Sequence, residues 1–177
     1  SMMNEKEIYK YNYVLNQLGK RILPQYFYEM NPGKMDQWQN QICRQSHILA
    51  CYFLDQWLNG DKPNWDIKFY ESRFWDPNLD KEYDHSWVYI TNWTGPRESY
   101  LCDIARVSTH IGFVKATQNN PDSFLAWDKE IQGERKSFNW KELIQQKEYY
   151  THLTGSFIVP AIEQRMKQCN LFIPKNK

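Results

Sequence analysis

The chain lacks three features that would assign it to a functional class at once. Lys and Arg together number 22 against 21 Asp and Glu, so the chain has no basic excess of the kind that binds nucleic acid. Its longest strongly apolar run, residues 48–54, is far shorter than the ~20 residues that a membrane helix needs. We therefore expect binding to neither nucleic acid nor membrane.

Paired cysteine motifs are also missing. The cysteines are Cys43, Cys51, Cys102 and Cys169, with no CxxC pair among them. Only Cys43 and His47 have ligand-like spacing, and no second pair accompanies them, so we expect no metal and no organic cofactor. Ser1 is typical of an expression tag, and the polar NEKEIYKYNY after it predicts no export signal. These features favour a cytoplasmic protein with reduced thiols.

Aromatic residues, by contrast, are abundant: 8 Trp, 12 Tyr and 9 Phe. Such a composition is foreign to disordered chains, and 177 residues suffice for one domain, which we place at 1–177. The predicted order of elements is helix, helix, strands, helix, helix, which indicates the α+β class.

Apolar periodicity and breakers predict the bounds of these elements. Helices are expected at 4–22 (capped by Asn4 and Glu7, stopped by Pro24), at 42–58, from Ser137, and from 154 or 156 to 168. Strands are expected at 65–70, in HSWVYI, in SYLCDIA and at 110–116, with a loop at 71–82 and a solvated loop or edge at 128–136.

Cys43 lies at the predicted start of the helix 42–58, whose apolar residues cover most of its circumference. A helix start lowers the pKa of a thiol and offers unpaired N–H groups to an oxyanion. Cys43 is therefore a candidate nucleophile, although a single cysteine is more often a small core residue.

His85 and Asp103 occupy two strands with period-two alternation, joined by TNWTGPRE. A regular hairpin centred on Thr94 places them directly opposite each other on one face, where the carboxylate can orient the imidazole. A one-residue shift of the turn would pair different positions and flip one of the two side chains to the other face. His47, one helical turn after Cys43, is a rival base, but no acidic partner for it is evident.

These motifs, CRQSHILACYFLDQWL, DHSWVYI and YLCDIA, together resemble the transglutaminase-like branch of the papain-like fold over residues 37–106. The resemblance implies a Cys-headed buried helix packed on an antiparallel sheet, with extra N- and C-terminal helices. It also implies Gln37, six residues before Cys43, as an oxyanion donor, with Gln39 and Gln41 as alternatives. Trp75 and Trp87 are candidates for the wall of a substrate cleft.

The expected function is a thiol-dependent hydrolase or acyl transferase that acts on an amide in a peptide or glutamine side chain through Cys43, His85 and Asp103. Its reaction could be that of a peptidase, a deamidase or a transglutaminase. Two alternatives stay open: an inactive papain-like scaffold that binds proteins, and a different thiol transferase that depends on an acyl carrier.

Overall fold

The computed structural model describes residues 3–30, 32–33, 35–60, 64–76, 80–105, 112–116, 131–147, 158–171 and 173, with the backbone alone at 35–41, 76 and 131–135. The helices are α1 (Glu5–Gln17), α2 (Leu23–Met30), α3 (Met35–Leu54), α4 (Trp140–Leu143) and α5 (Ile158–Gln168), with π-helical turns at Leu18–Ile22 and Asp55–Asn59. The strands are β1 (Trp65–Asp76), β2 (Lys81–Asn92), β3 (Glu98–Asp103), β4 (Gly112–Lys115) and β5 (Ile131–Asn139).

The strands form one antiparallel sheet in the order β4-β3-β2-β1-β5. Helix α3 packs on β2 and β1, and α1 packs on β4. The protein is thus α+β, as predicted, with helices packed on a five-stranded antiparallel sheet. Within the ranges given above, no helix combines the length and apolar character needed to cross a bilayer.

The first helical region starts as predicted, because Asn4 and Glu7 form a capping box at α1. The predicted stop at Pro24 is wrong. A π-helical turn follows α1, and Pro24 lies in the first turn of α2, which continues to Met30. The helical backbone is continuous from α1 through the π-helical turn into α2, so Pro24, which has no N–H, directly follows a turn whose hydrogen bonds reach five residues back.

Two further boundaries differ from prediction. Of the loop expected at 71–82, residues 71–76 complete β1, which pairs with β2 along its whole length, and residues 81–82 begin β2; positions 77–79 lie outside the described residues. The start of the helix expected at Ser137 is wrong, since Ser137 is in β5 and α4 begins at Trp140; the part of this prediction beyond residue 147 lies outside the described residues. Pairing with β1 overrides the local helical pattern there.

Three further predictions agree with the structure where it is described: the edge at 128–136, the strand at 110–116 and the end of the last helix. Residues 131–136 of the expected loop or edge lie in β5, which is an edge strand of the sheet. The predicted strand 110–116 contains β4, and the last helix ends at Gln168 as expected. Positions 110–111, 128–130 and 154–157 of these predictions lie outside the described residues.

Apolar side chains pack on both faces of the sheet. The larger cluster joins the helices to the face that includes Phe69, Val88 and Ile90. The smaller cluster consists of Phe74, Trp87 and Leu101. Val88 and Trp87 are successive residues of a strand, so the two clusters lie on opposite faces.

The turn between β2 and β3 is centred on Gly95 rather than on Thr94. The paired residues run from Asn92↔Glu98 to Val88↔Cys102. Gly95 has a φ of +83°, which favours glycine, and the Asn92 side chain accepts hydrogen bonds from the backbone N and the hydroxyl of Thr94 at 2.9 and 2.8 Å.

This register corrects the predicted pairing of His85 and Asp103. Moving the centre by one residue shifts the partner of every β2 residue by two positions, so the two residues are diagonal neighbours rather than directly opposed. The expectation that a one-residue change of the turn would flip one side chain was wrong: a shift of two partner positions preserves the alternation, and both side chains remain on one face.

Candidate active site

Three elements bring Cys43, His85 and Asp103 together. Cys43 Sγ, from α3, lies 3.0 Å from Nδ1 of His85 in β2. Nε2 of the same ring lies 2.9 Å from Oδ2 of Asp103, the last residue of β3. The relative exposures of the three residues are 8%, 2% and 0%, so the whole chain of contacts is buried.

The position of Cys43 within its helix differs from the prediction. Helix α3 begins at Met35, eight residues before Cys43, because the polar segment 35–41 continues the helix. An N–H in a helix interior is committed to the carbonyl four residues earlier. The predicted helix-start dipole and free N–H groups therefore do not act on this thiol.

Histidine 85 is held by rings as well as by hydrogen bonds. Its centroid lies 5.0 Å from that of Phe74, 5.8 Å from Tyr83 and 6.1 Å from Trp87. Burial lowers the pKa of His85, but the charges of Cys43 and Asp103 and their hydrogen bonds outweigh it and raise the pKa to about 10.

The pairing that raises the pKa of His85 lowers the pKa of the Cys43 thiol. Burial raises its pKa, but the charge of His85 and its hydrogen bond, together with the nearby ring of His47, lower it to about 6. At neutral pH the arrangement therefore favours a thiolate beside an imidazolium.

His47 lies at the site but is not placed as a base. Its Nε2 accepts the backbone N–H of Ile104 at 3.0 Å, so this nitrogen carries no hydrogen. Nδ1 must then carry the hydrogen of the neutral ring, and it lies 2.8 Å from the Cys43 carbonyl oxygen against 3.6 Å from Sγ. Asp103 Oδ1 also lies 3.5 Å from Nε2, so the expectation that His47 has no acidic neighbour was wrong.

Ser86 is a site residue that the sequence reasoning missed. Its backbone N–H donates to Cys43 Sγ at 3.1 Å, its hydroxyl oxygen lies 3.1 Å from the same sulfur, and its carbonyl oxygen lies 3.3 Å away. The β2–β3 pairing ends at Val88↔Cys102, so the sulfur takes the place of a ladder partner for Ser86 beyond that point. The only signal in the sequence was a serine next to His85 in an apolar strand.

The other predicted site residues are farther from the sulfur or not described. Gln37 lies in the first turn of α3, and its side chain is outside the described residues. Trp75 is 36% exposed and pairs with Glu82, three positions from His85 and roughly 10 Å along the strand. Trp87 is fully buried against Tyr70, which does not fit the expected wall of an open groove.

The remaining cysteines differ from Cys43 in their surroundings. Cys51 and Cys102 are buried in the larger apolar cluster, and burial raises the pKa of both thiols well above the usual value. Cys169 is exposed. With respect to the histidines that the structure describes, His47 and His85, Cys43 is thus the thiol that they contact.

The border of the site carries charge. Arg44, next to Cys43, donates to Glu71 at 2.5 Å, and Glu71 pairs with Ser86 across β1 and β2. In the part of the chain that the structure describes, no group of three or more His, Cys, Asp or Glu side chains could hold a metal ion.

Comparison with models of protein families, with curated proteins and with solved structures finds no significant match. The chemistry of the site is therefore argued from its own residues.

Proposed function

We propose that the protein is a thiol-dependent hydrolase or acyl transferase that acts on an amide bond, in a peptide or a glutamine side chain, through Cys43, His85 and Asp103. The observation that carries the proposal is the unbroken chain of contacts from Sγ to Nδ1 at 3.0 Å and from Nε2 to the Asp103 carboxylate at 2.9 Å. A nucleophile, a base and a group that orients the base are what covalent catalysis by a thiol requires.

In the first half of the reaction, the Cys43 thiolate attacks the amide carbonyl carbon and forms a C–S bond. The resulting tetrahedral oxyanion collapses, the C–N bond breaks, and Nδ1–H of His85 gives its proton to the departing amine. A thioester on Cys43 and a neutral imidazole remain. Asp103 holds the ring in this orientation and stabilises its protonated form.

In the second half, the neutral Nδ1 takes a proton from water, and the oxygen attacks the thioester. The C–S bond breaks, the acid is released, and the thiolate–imidazolium pair is restored. An amine in place of water would give transamidation. We favour hydrolysis because water is available by default.

A papain-like, transglutaminase-like core is the architecture that we propose for this site. It is supported by the order of the parts along the chain: a buried helix with the cysteine, then the strand with the histidine, then the adjacent strand with the aspartate. The interior position of Cys43 in α3 is a departure from the Cys-headed helix of that resemblance.

The same departure favours a second candidate, an inactive scaffold that binds proteins. Sγ belongs to a residue that is 8% exposed, and the committed helix N–H at this position removes one source of oxyanion stabilisation. Such a scaffold would keep the buried polar cluster for structural reasons alone.

Thiol labelling separates these candidates. In a Cys169→Ser background, which removes the exposed thiol, iodoacetamide at pH 6.5 should label Cys43 selectively, with the site assigned by peptide mass spectrometry. His85→Ala should slow the labelling by about tenfold or more, because the thiolate loses its cationic partner. Equal and slow labelling of Cys43, Cys51 and Cys102 would favour the inactive scaffold.

Trapping the intermediate tests the chemistry itself. Incubation with a peptide amide or a glutamine-containing peptide, followed by acid quenching, should add the acyl mass to Cys43, and Cys43→Ser should show no turnover while it keeps the melting temperature. Turnover retained in Cys43→Ser would remove this residue from the mechanism. An adduct formed only from an acyl-carrier thioester would favour the other alternative considered above, a different thiol transferase that depends on an acyl carrier.

A further inference from the structure

Ser86 meets the sulfur of Cys43 with its backbone and its side chain at once. The N–H donates at 3.1 Å, and the hydroxyl oxygen lies 3.1 Å from Sγ and 3.2 Å from Nδ1 of His47. Ser86 is 2% exposed, so solvent scarcely competes for this hydroxyl. Whether the hydroxyl hydrogen points toward the sulfur decides whether this contact stabilises the thiolate form of Cys43.

The neighbouring histidine fixes that direction. The Ile104 N–H occupies the lone pair on Nε2 of His47, and the ring hydrogen is therefore on Nδ1. A nitrogen that carries a hydrogen cannot accept one from Ser86. Among the side chains described around the Ser86 hydroxyl, the sulfur of Cys43 is then the acceptor that remains.

We propose that Ser86 is a positioning residue that holds the sulfur of Cys43 as a thiolate by donating both its backbone N–H and its hydroxyl to it. With Nδ1–H of His85, three donors converge on the sulfur at 3.0, 3.1 and 3.1 Å. A thiolate can accept all three, and hydrogen bonds to a charged acceptor are stronger than those to a neutral one. The use of this thiolate in catalysis rests on the proposed function, but its existence does not.

The other polar neighbours are consistent with a thiol that ionises in place. In the protonated form, Sγ–H can donate to the Ser86 carbonyl oxygen at 3.3 Å, so both forms have a partner. The titratable and charged groups that face the sulfur and its partners are His47 from α3, His85 from β2 and Asp103 from β3. The Arg44–Glu71 ion pair borders them.

The test is the pH dependence of Cys43 alkylation in the Cys169→Ser background. Ser86→Ala should raise the pKa of Cys43 by about one unit, since it removes one hydrogen bond to a charged group. Alkylation should then be roughly fivefold slower at pH 6 and nearly unchanged at pH 9, where the thiol is ionised in both proteins.

Ser46→Ala is the matched control. Ser46 is also fully buried in α3, and its Oγ has no hydrogen-bond partner among the described residues. It should leave the pH profile of Cys43 unchanged. Ser86→Thr keeps the hydroxyl and should restore the wild-type profile, which a loss of packing at this position would not do.

An unchanged profile in a Ser86→Ala protein whose circular dichroism and melting temperature match the wild type would overturn the proposal. So would an equal shift in Ser46→Ala. The proposed function fails separately: a shifted profile with no acyl adduct on Cys43 from any amide substrate would leave Ser86 in this role and remove the acyl chemistry.

Discussion

Together with the Cys43 thiolate, the carboxylate of Asp103 favours the protonated form of His85. It is fully buried, contacts Nε2 at 2.9 Å and is one of the groups that raise the pKa of the ring. A buried carboxylate is costly unless it is paired, so its position in β3 is explained by the histidine that it faces.

Asp103→Asn should therefore lower turnover by about tenfold or more, because a neutral amide does not stabilise the imidazolium. The change is isosteric, so the melting temperature should fall far less than the rate. The measurement is turnover and thermal unfolding on one preparation. A variant that mainly unfolds, with normal turnover in the folded fraction, would make Asp103 purely structural.

The two shifted pKa values predict different pH profiles for two reactions. As the pH falls through about 6, the Cys43 thiolate is protonated, and both alkylation and acyl transfer should slow. As the pH rises through about 10, His85 loses its proton while the thiolate remains. Alkylation should then persist, whereas acyl transfer, which needs the imidazolium as an acid, should fall.

Parallel rates from pH 5 to 11, with iodoacetamide and with a peptide amide, check this difference. Reagent hydrolysis without protein and an alkaline melting curve are the controls. Loss of both reactions together at high pH would point to unfolding or to a base other than His85.

Among the elements, the π-helical turn after α1 approaches the end of β3 unusually closely. A Cβ added at Gly19 would lie 2.1 Å from the carbonyl oxygen and 2.8 Å from the Cβ of Ile104. Ile104 follows Asp103 and donates its N–H to His47. Because Gly19 has no side chain, the first helical region packs directly against Ile104, the residue that follows Asp103.

Gly19→Ala should destabilise the protein by about 2 kcal/mol, because the methyl group can be admitted only by moving backbone. It should also change the rate of Cys43 alkylation, since Ile104 and Asp103 move together. Urea unfolding and labelling at pH 6.5 measure the two effects. Gly33→Ala, at a φ of +88° and with no described atom within 4 Å of the added methyl, strains the backbone away from the site; it is the control and should leave labelling unchanged.

How well these elements can be predicted depends on how far apart along the chain the interacting residues lie. Alternation within HSWVYI and SYLCDIA is local, and it placed His85 and Asp103 on one face. The turn centre depends on the positive φ of Gly95, which alternation does not reveal. The strand character of Ser137 arises from pairing with Tyr70, a partner remote along the chain.

The site itself was predictable only in part, for the same reason. Cys43, His85 and Asp103 stand out by residue type and context. Ser86 and the amide of Ile104 act through hydrogen bonds that exist only after α3 has packed on the sheet. The early start of α3 was missed because segment 35–41 is polar and shows no apolar period.

For the whole molecule, the sheet separates two apolar clusters with different roles. Phe69 and Phe74 are both fully buried residues of β1. Phe69 belongs to the large cluster beneath the helices, and Phe74 belongs to the small cluster beside His85. The strand thus offers two equivalent side chains on opposite faces.

Phe69→Leu and Phe74→Leu should each cost about 1 kcal/mol of stability, because both reduce a packed ring to a smaller apolar group. Only Phe74→Leu should change the pH profile of Cys43 alkylation, since its ring supports His85 at 5.0 Å. Urea midpoints and labelling rates give both quantities. Equal effects of the two variants on labelling would show that the labelling rate of Cys43 depends on overall stability rather than on the packing of the small cluster.

The amide hydrogen of Ile104 has a consequence for mutational mapping. It determines which nitrogen of His47 is protonated, and it belongs to the main chain. Nineteen of the twenty genetically encoded residues retain that hydrogen, so an alanine substitution at position 104 leaves its hydrogen bond to His47 in place. Proline at position 104, or an ester linkage introduced there by chemical synthesis, would remove the hydrogen that binds Nε2 of His47. The His47 ring could then exchange between its two tautomers. The ¹⁵N chemical shifts of the imidazole would report this change directly.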